Sequence, residues 1–250
     1  MGKMLNPQRP GINYNLYLGK LNELPSNSKI VINTINQYSY CIARQDQEFE
    51  MALTSSDILL PDGEGVCLAE RLLTGKKVKK ISGTDLHFYL LNTLNSQSGK
   101  CFYLGSCTET LEKIKIKLKR EYPNLEVSYY APPFKASFDY EENEAMVKAV
   151  NDFMPDALFI GLTAPKQEKW SHQFKNQINA KFICSIGAVF DFYAETVKRP
   201  GKFLVKHKLE WLGRLTSNPA KMWRRYLYYG PVYIFYILKL KFLPVAEKNA

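Results

Sequence analysis

Asp62 stands where an apolar run meets a turn. Ile58-Leu59-Leu60-Pro61 leads into it, Gly63 and Gly65 follow on either side of Glu64, and Val66 to Leu73 continues with helical spacing. Pro61 cannot donate to a sheet ladder and closes the run. In an open α/β sheet, ligands bind outside the carboxyl ends of the strands, where strand turns into helix, and glycine lets a ligand come close to the backbone. A carboxylate at such a junction is placed to meet a ligand, and it equally suits the N-cap of the following helix. Thr34-Ile35-Asn36 occupies the equivalent place after an earlier apolar run, Lys29 to Asn33. Its polar residues serve either a shared crevice or ordinary turn and cap chemistry.

Three further clusters could do chemistry. Lys80-Ile81-Ser82-Gly83-Thr84-Asp85 puts a glycine between hydroxyls, with a cation three residues earlier. Backbone N–H groups and a lysine in that order can hold a phosphate. The cluster lacks the full P-loop pattern and also reads as a solvated basic turn. Gln167, on the first turn of a helix that begins near Pro165, could hydrogen-bond a base edge or a sugar, or face solvent. Asp191 sits alone in an apolar setting, as a helix cap or as a buried ligand-binding group, because an unpaired buried charge is costly. Gly105 opens a turn after another apolar run.

The elements that must position these residues alternate along the chain. Strands are expected at 29–33, 57–60, 101–104, 125–130, 157–160 and 181–186. Helices are expected over Thr108 to Tyr122, Tyr140 to Phe153 and Pro165 to Gln177, and helical spacing also runs from Ser39 to Leu53. Residues 1–28 read as an irregular lead-in, and His87 as a satisfied structural histidine. Strand and helix in alternation imply an α/β fold: a Rossmann-like parallel sheet with helices on both faces. The expected division is a catalytic domain over 1–195 and a basic, aromatic-rich helical appendage over 196–250.

Charge separates the same two parts. The chain of 250 residues carries a net charge of +10, yet residues 198–250 alone hold 12 Lys or Arg against Glu210 and Glu247. The preceding residues are neutral. Trp211, Trp223, Tyr226, Tyr228, Tyr229, Tyr233, Phe235 and Tyr236 are interleaved with those cations. The apolar run Val232 to Leu240 is far short of the roughly 20 residues that span a bilayer. Cations, aromatics and a short apolar run suit a helix in an anionic membrane interface; the alternative is a helix packed on the protein's own core. Nucleic acid is the rival polyanion, but no RNA-binding motif is present and the rest of the chain is neutral, so none is expected. Five scattered cysteines and three histidines have no metal-ligand spacing, so buried free thiols in a reducing cytoplasm are expected. The N-terminus has no secretory h-region.

Taken in order, Thr34-Ile35-Asn36, Leu60-Pro61-Asp62-Gly63, Ser82-Gly83-Thr84-Asp85, Tyr103-Leu104-Gly105 and Pro132-Pro133-Phe134 resemble the WecG/TagA/CpsF family of bacterial glycosyltransferases. Ala164-Pro165-Lys166-Gln167-Glu168-Lys169-Trp170, Phe190-Asp191, Glu210 to Leu215, Pro219 and Trp223-Arg224-Arg225-Tyr226 continue the match over nearly the whole chain. That family includes N-acetylmannosaminyltransferases of teichoic acid and enterobacterial common antigen synthesis. The resemblance implies an inverting, metal-independent transfer from a UDP-sugar to a polyprenyl-diphosphate-linked acceptor, at the cytoplasmic face of the membrane, with no cofactor. It implies Asp62 as general base with Thr34 beside it. It also implies substrate-binding roles for Asn36, Gly63, Lys80, Gly83, Asp85, Gly105, Gln167, Asp191, Arg214, Lys221 and Arg224. Lys80 and Lys221 stand where the family has Arg, Glu195 replaces a glycine, and Arg199-Pro200-Gly201 replaces Arg-Ala-Pro. These departures leave the particular sugar open, as they do the pathway, whether teichoic acid, capsule or exopolysaccharide. The chain contains no Asp-x-Asp, so a metal-held diphosphate is not indicated. Self-association stays open, and the competing class is a membrane- or nucleic-acid-binding protein without transferase activity.

Overall fold

Six short runs rich in Ile, Leu, Val and Phe form one sheet: β1 (Ile30–Ile35), β2 (Ile58–Pro61), β3 (Lys100–Gly105), β4 (Glu126–Tyr130), β5 (Ala157–Gly161) and β6 (Phe182–Ser185). The computed structural model describes residues 12–25, 28–197, 201, 204 and 210–242, without the side chains of Glu210 and Lys221. The strand order is β2-β1-β6-β5-β3-β4, and every pairing is parallel. Strands covered on both faces need apolar residues throughout, which explains the mostly continuous runs of β1, β2, β3, β5 and β6, whereas the edge strand β4, Glu-Val-Ser-Tyr-Tyr, is only partly covered.

One face carries α4 (Gly83–Ser96), α5 (Thr108–Glu121) and α8 (Ala188–Tyr193), packed on Ile30, Ile32, Leu60, Tyr103, Phe159 and Cys184. The other carries α6 (Tyr140–Phe153) and α7 (Lys166–Phe174) over Phe102, Leu158, Ile160 and Ile183. Beside them α1 (Gln37–Ala43), α2 (Gln47–Thr54) and α3 (Glu64–Thr74) pack on Ile35 and Leu59. The helical spacing expected from Ser39 to Leu53 is two helices rather than one. Asp46 accepts from the Phe49 N–H at 3.0 Å and starts α2 afresh, as N-capping requires of the chain. The described part of the lead-in adds to the sheet: Leu16 bridges Leu59 in parallel, and Ile12 and Tyr14 are buried with it.

The C-terminal segment runs through α9 (Glu210–Ser217), α10 (Pro219–Trp223), a π-helical turn over Arg224–Tyr228, and α11 (Tyr229–Phe242). Tyr229, Tyr233 and Ile237, four residues apart, are buried on α1 and α3. The Tyr40 ring meets Tyr233 edge-on at 5.3 Å, and the Cys41 thiol donates to the Tyr229 carbonyl at 3.6 Å. Ile234, Phe235, Leu238 and Phe242 on the remaining surface of α11 stay exposed. At 1.5 Å per residue α11 is about 21 Å long, and no helix among the described residues is long and apolar enough to cross a membrane.

Candidate active site at the strand ends

The carboxyl ends of β1 and β2 lie side by side, with Thr34 paired to Leu60 and Ile35 to Pro61. The Asp62 N–H then donates to the Ile35 carbonyl at 2.9 Å, which ties the carboxylate-bearing turn to the end of β1. Side chains alternate along a strand, so Thr34 shares the face of Ile30 and Ile32, the one that holds α4 and α8. Asp62 does not stand at the N-cap position of the helix that follows it. Gly63 occupies the N-cap of α3 at φ 151°, a conformation closed to most side chains. A Cβ there would lie 3.0 Å from Gln37 Oε1. Asn36, by contrast, is a cap: its side chain accepts from the Ser39 N–H at 3.1 Å and opens α1.

The next cluster lies beside the same strand ends on the α4 side. The Ile81 N–H donates to the Pro61 carbonyl at 3.1 Å, which brings half-buried Lys80 beside the end of β2 and hence beside Asp62. Ser82 caps α4, and Asp85 Oδ2 accepts from the Ser82 N–H at 2.8 Å and its hydroxyl at 2.7 Å. The polar groups of this cluster therefore build the helix start, while buried Gly83 fits it against Ile186 and Val189 just before and within α8. Gly105, at φ 115°, ends β3 where a Cβ would lie 2.5 Å from the Gly161 carbonyl oxygen of β5. The N-terminal ends of α3 and α4 both open onto this edge, where backbone N–H groups and the helix dipole favour an anion. His87 lies below, fully buried, its Nε2 2.5 Å from the Tyr103 hydroxyl, and burial lowers its pKa to about 3.

Gln167 is buried rather than solvent-facing, with 6% of its surface exposed. Its Nε2 donates to Glu168 Oε1 at 2.8 Å, and its Oε1 accepts from the Gly187 N–H at 3.2 Å. One side chain thus bridges the turns that follow β5 and β6. Asp191, half-buried in the first turn of α8, holds the chain beyond that helix through its carbonyl, which accepts from Thr196 and Val197. Glu168 is buried beside the bridge, and loss of hydration raises its pKa to about 7, while the charge of Arg225 pulls it the other way.

The C-terminal segment reaches this edge from both faces of the sheet. Arg214 on α9 stacks its guanidinium 4.9 Å over the Phe192 ring of α8, next to Asp191. Arg225, in the π-helical turn, stacks 5.0 Å over the Tyr38 ring of α1. Since α8 follows β6 and α1 follows β1, and these strands are neighbours, the segment straddles the centre of the carboxyl edge. Arg224 is exposed on the same turn, and the Lys221 side chain lies outside the described part. Glu168 and Arg225 have no place among the site residues expected from the sequence. A signal for Glu168 exists in helical phase, because Gln167, Ser171 and Phe174 share its side of α7 and all are buried.

Residues 11–246 match the family described as Glycosyl transferase WecG/TagA/CpsF family. A protein of Bacillus subtilis (strain 168) named N-acetylglucosaminyldiphosphoundecaprenol N-acetyl-beta-D-mannosaminyltransferase is 29% identical over 224 residues, 88% of this chain and 85% of its own. The protein of the same name from Staphylococcus aureus (strain MRSA252) is 27% identical over 216 residues, 86% of this chain and 82% of its own.

Proposed function

Because the chain belongs to the WecG/TagA/CpsF family of glycosyltransferases, we propose that it moves an N-acetylmannosamine-type sugar from a UDP-sugar to a polyprenyl-diphosphate-linked saccharide, with inversion. The observation that carries this reading is the meeting of unlike groups at one edge. A carboxylate turn and a threonine lie at the ends of β2 and β1, and a cationic segment crosses the same strand ends. Inversion requires a base on the acceptor side and positive charge on the leaving-group side. Asp62 takes the proton of the acceptor hydroxyl as that oxygen attacks the anomeric carbon from the face opposite the diphosphate. The C1–O bond to the diphosphate breaks, and its electrons leave with UDP. Lys80, Arg214, Arg224 and Lys221 neutralise the diphosphate as it departs, helped by the N–H ends of α3 and α4. The absence of any Asp-x-Asp pair in the sequence favours this cationic arrangement over a metal-held diphosphate.

The lipid-linked sugar named for the relatives gives the exposed side of α11 a use. Ile234, Phe235, Leu238 and Phe242 are apolar and uncovered, and Lys239 and Lys241 lie among them. In this reading α11 rests in the interface of an anionic cytoplasmic leaflet without crossing it, and brings the strand ends to the acceptor's headgroup. UDP release is the direct assay, with UDP-N-acetylmannosamine as donor and a polyprenyl-diphosphate-linked N-acetylglucosamine as acceptor. Release that depends on both substrates and disappears in Asp62→Asn is expected. A variant as active as the native protein would remove Asp62 from the mechanism.

A further inference from the structure

The stretch from Val66 to Lys80 divides its residues sharply between core and surface. Val66, Ala69 and Leu73 of α3, and Val78 of the loop that follows, pack in one cluster with Tyr233 and Ile237 of α11. Exposed are Leu68, Arg71 and Leu72 on α3, then Gly75, Lys76, Lys77 and Lys79. Leu68 and Leu72 are four residues apart and share a side of α3. The one carboxylate in the stretch, Glu70, is half-buried and accepts from the Ile12 N–H at 3.1 Å. No exposed residue from 66 to 80 is acidic, and none from 229 to 242 is. A solvated basic helix looks different. On α5, exposed Lys113, Lys119 and Arg120 are interspersed with Glu109, Glu112 and Glu121, and Lys113 pairs with Glu109 at 2.8 Å.

Leucines beside cations that have no carboxylate partner among the described residues fit a partner that is apolar and anionic at once. An anionic lipid leaflet is both. A second copy of this chain set against the same patch would oppose lysine to lysine, and the exposed residues of the patch include no aromatic ring on which a base could stack. Position supports the same partner. The Tyr233 hydroxyl of α11 donates to the Gly65 carbonyl of α3 at 3.3 Å, so two neighbouring helices carry exposed apolar residues with lysines on or next to them. The loop is pinned by Val78 in the cluster and by the Ile81 N–H on the Pro61 carbonyl. Lys79 is thereby exposed, while Lys80, the next residue, is half-buried beside the end of β2.

We propose that α3 and its lysine loop form a second membrane contact beside α11. Arg71, Lys76, Lys77 and Lys79 hold anionic headgroups, Leu68 and Leu72 enter the interface, and the Asp62 end of the crevice is held against the leaflet. The inference rests on the reading of this edge as the site of a transferase with a lipid-linked acceptor, but its first test needs no transfer.

Co-sedimentation of the full chain with vesicles of phosphatidylglycerol and phosphatidylcholine measures the contact. A lysine near an anionic surface strengthens binding about fivefold. The triple variant Lys76→Gln, Lys77→Gln, Lys79→Gln should therefore bind on the order of 10²-fold more weakly, with an unmoved urea midpoint because all three side chains are exposed. The matched triple variant on α5, Lys113→Gln, Lys119→Gln, Arg120→Gln, should bind like the native protein. A loop variant that binds as tightly as the native protein, or an α5 variant that loses as much, would overturn the contact. Competition by soluble polyglutamate as effective as by vesicles would assign the surface to an acidic protein, and would overturn it too. For the leucines, Leu68→Cys in a Cys107→Ser background carries a nitrobenzoxadiazole dye, the other cysteines being buried. Its emission should shift to the blue with anionic vesicles; an unshifted emission would remove α3 from the interface. With a vesicle-borne acceptor the loop variant should raise KM for the acceptor and spare kcat, and with a short-chain, water-soluble acceptor it should match the native protein. A native protein that docks in this way but releases no UDP would sink the transferase reading and leave the contact standing. Full transfer with an unshifted dye would do the reverse.

Discussion

The sheet body and the C-terminal segment contribute opposite kinds of group to the same edge. The body is electrically neutral and places polar groups by backbone means: strand ends, caps and tight turns at Asn36, Asp62, Ser82 and Gly187. The segment carries the excess positive charge, and its arginines are placed by stacking on Phe192 and Tyr38. Backbone hydrogen bonds fix a group within tenths of an ångström, as a base must be fixed. Stacked guanidinium groups tolerate sliding, as charge that follows a departing diphosphate must. On the proposed mechanism the comparison teaches a division of labour in which the rigid part would do the proton chemistry and the adjustable part would handle the leaving group.

The sharpest way to break that division is Asp62→Asn. Transfer should fall by about 10³-fold to 10⁴-fold, in the range of a lost general base. The urea midpoint should stay put, because the N-cap of α3 is Gly63 and not Asp62. A destabilised variant with residual turnover would assign Asp62 to structure. Arg214→Ala comes next. Removing one charge-stabilising group costs about 10²-fold to 10³-fold in kcat, and the loss should appear in steady-state kinetics, well beyond the roughly 1 kcal/mol of stability lost with the stack on Phe192.

Within α11 the two surfaces should separate cleanly. Ile237→Ala, on the side packed against α1 and α3, should cost about 3 kcal/mol in urea unfolding through the cavity left behind. Phe235→Ala, 64% exposed on the other side, should leave unfolding within about 0.5 kcal/mol but reduce co-sedimentation with phosphatidylglycerol vesicles. Equal pelleting of native and Phe235→Ala protein would remove α11 from the membrane reading.

Glu168 sharpens the comparison through pH. Its carboxyl, raised from 4.5 to about 7 in the folded protein, keeps a proton that the unfolded chain gives up near pH 4.5. The folded state therefore binds more protons between those values, and stability falls as pH rises through that window. The loss is complete above about pH 7 and amounts to about 3 kcal/mol, at 1.36 kcal/mol per pKa unit. Glu168→Gln cannot titrate. It should match the native protein at pH 4 and exceed it at pH 8 in urea unfolding. Parallel stability curves for the two proteins across that range would show that the carboxyl is not held protonated by burial.

Much of this was legible in the chain. The six strands fall within one or two residues of their expected positions, five because a strand buried on both faces writes itself as a nearly unbroken apolar run, and the edge strand β4 from its aromatic and Val content between turns. That the polar clusters after β1 and β2 face one crevice follows once those strands are parallel neighbours, as they are. The caps were less legible. Asn36 and Asp85 hydrogen-bond within their own helix starts, an interaction of three residues that any ligand role must share. The described part of the lead-in is irregular as expected apart from one bridge and one 3-10 turn, but its burial was not legible, since Ile12, Tyr14 and Leu16 lack a strand's length and gain their places from Glu70, Tyr40 and Leu59.

The sequence by itself determined the alternation of strand and helix, the glycines and carboxylates at strand ends, and the concentration of charge in the last fifth of the chain. Each is a property of neighbours along the backbone or of counts. Only the tertiary structure decided the order β2-β1-β6-β5-β3-β4, which side of α11 is covered, and that Glu168, polar and on a first helical turn, lies under cover. Burial depends on what packs across from a residue, and the helix that carries Glu168 lies against β1, β5, β6 and α2, elements drawn from distant parts of the chain.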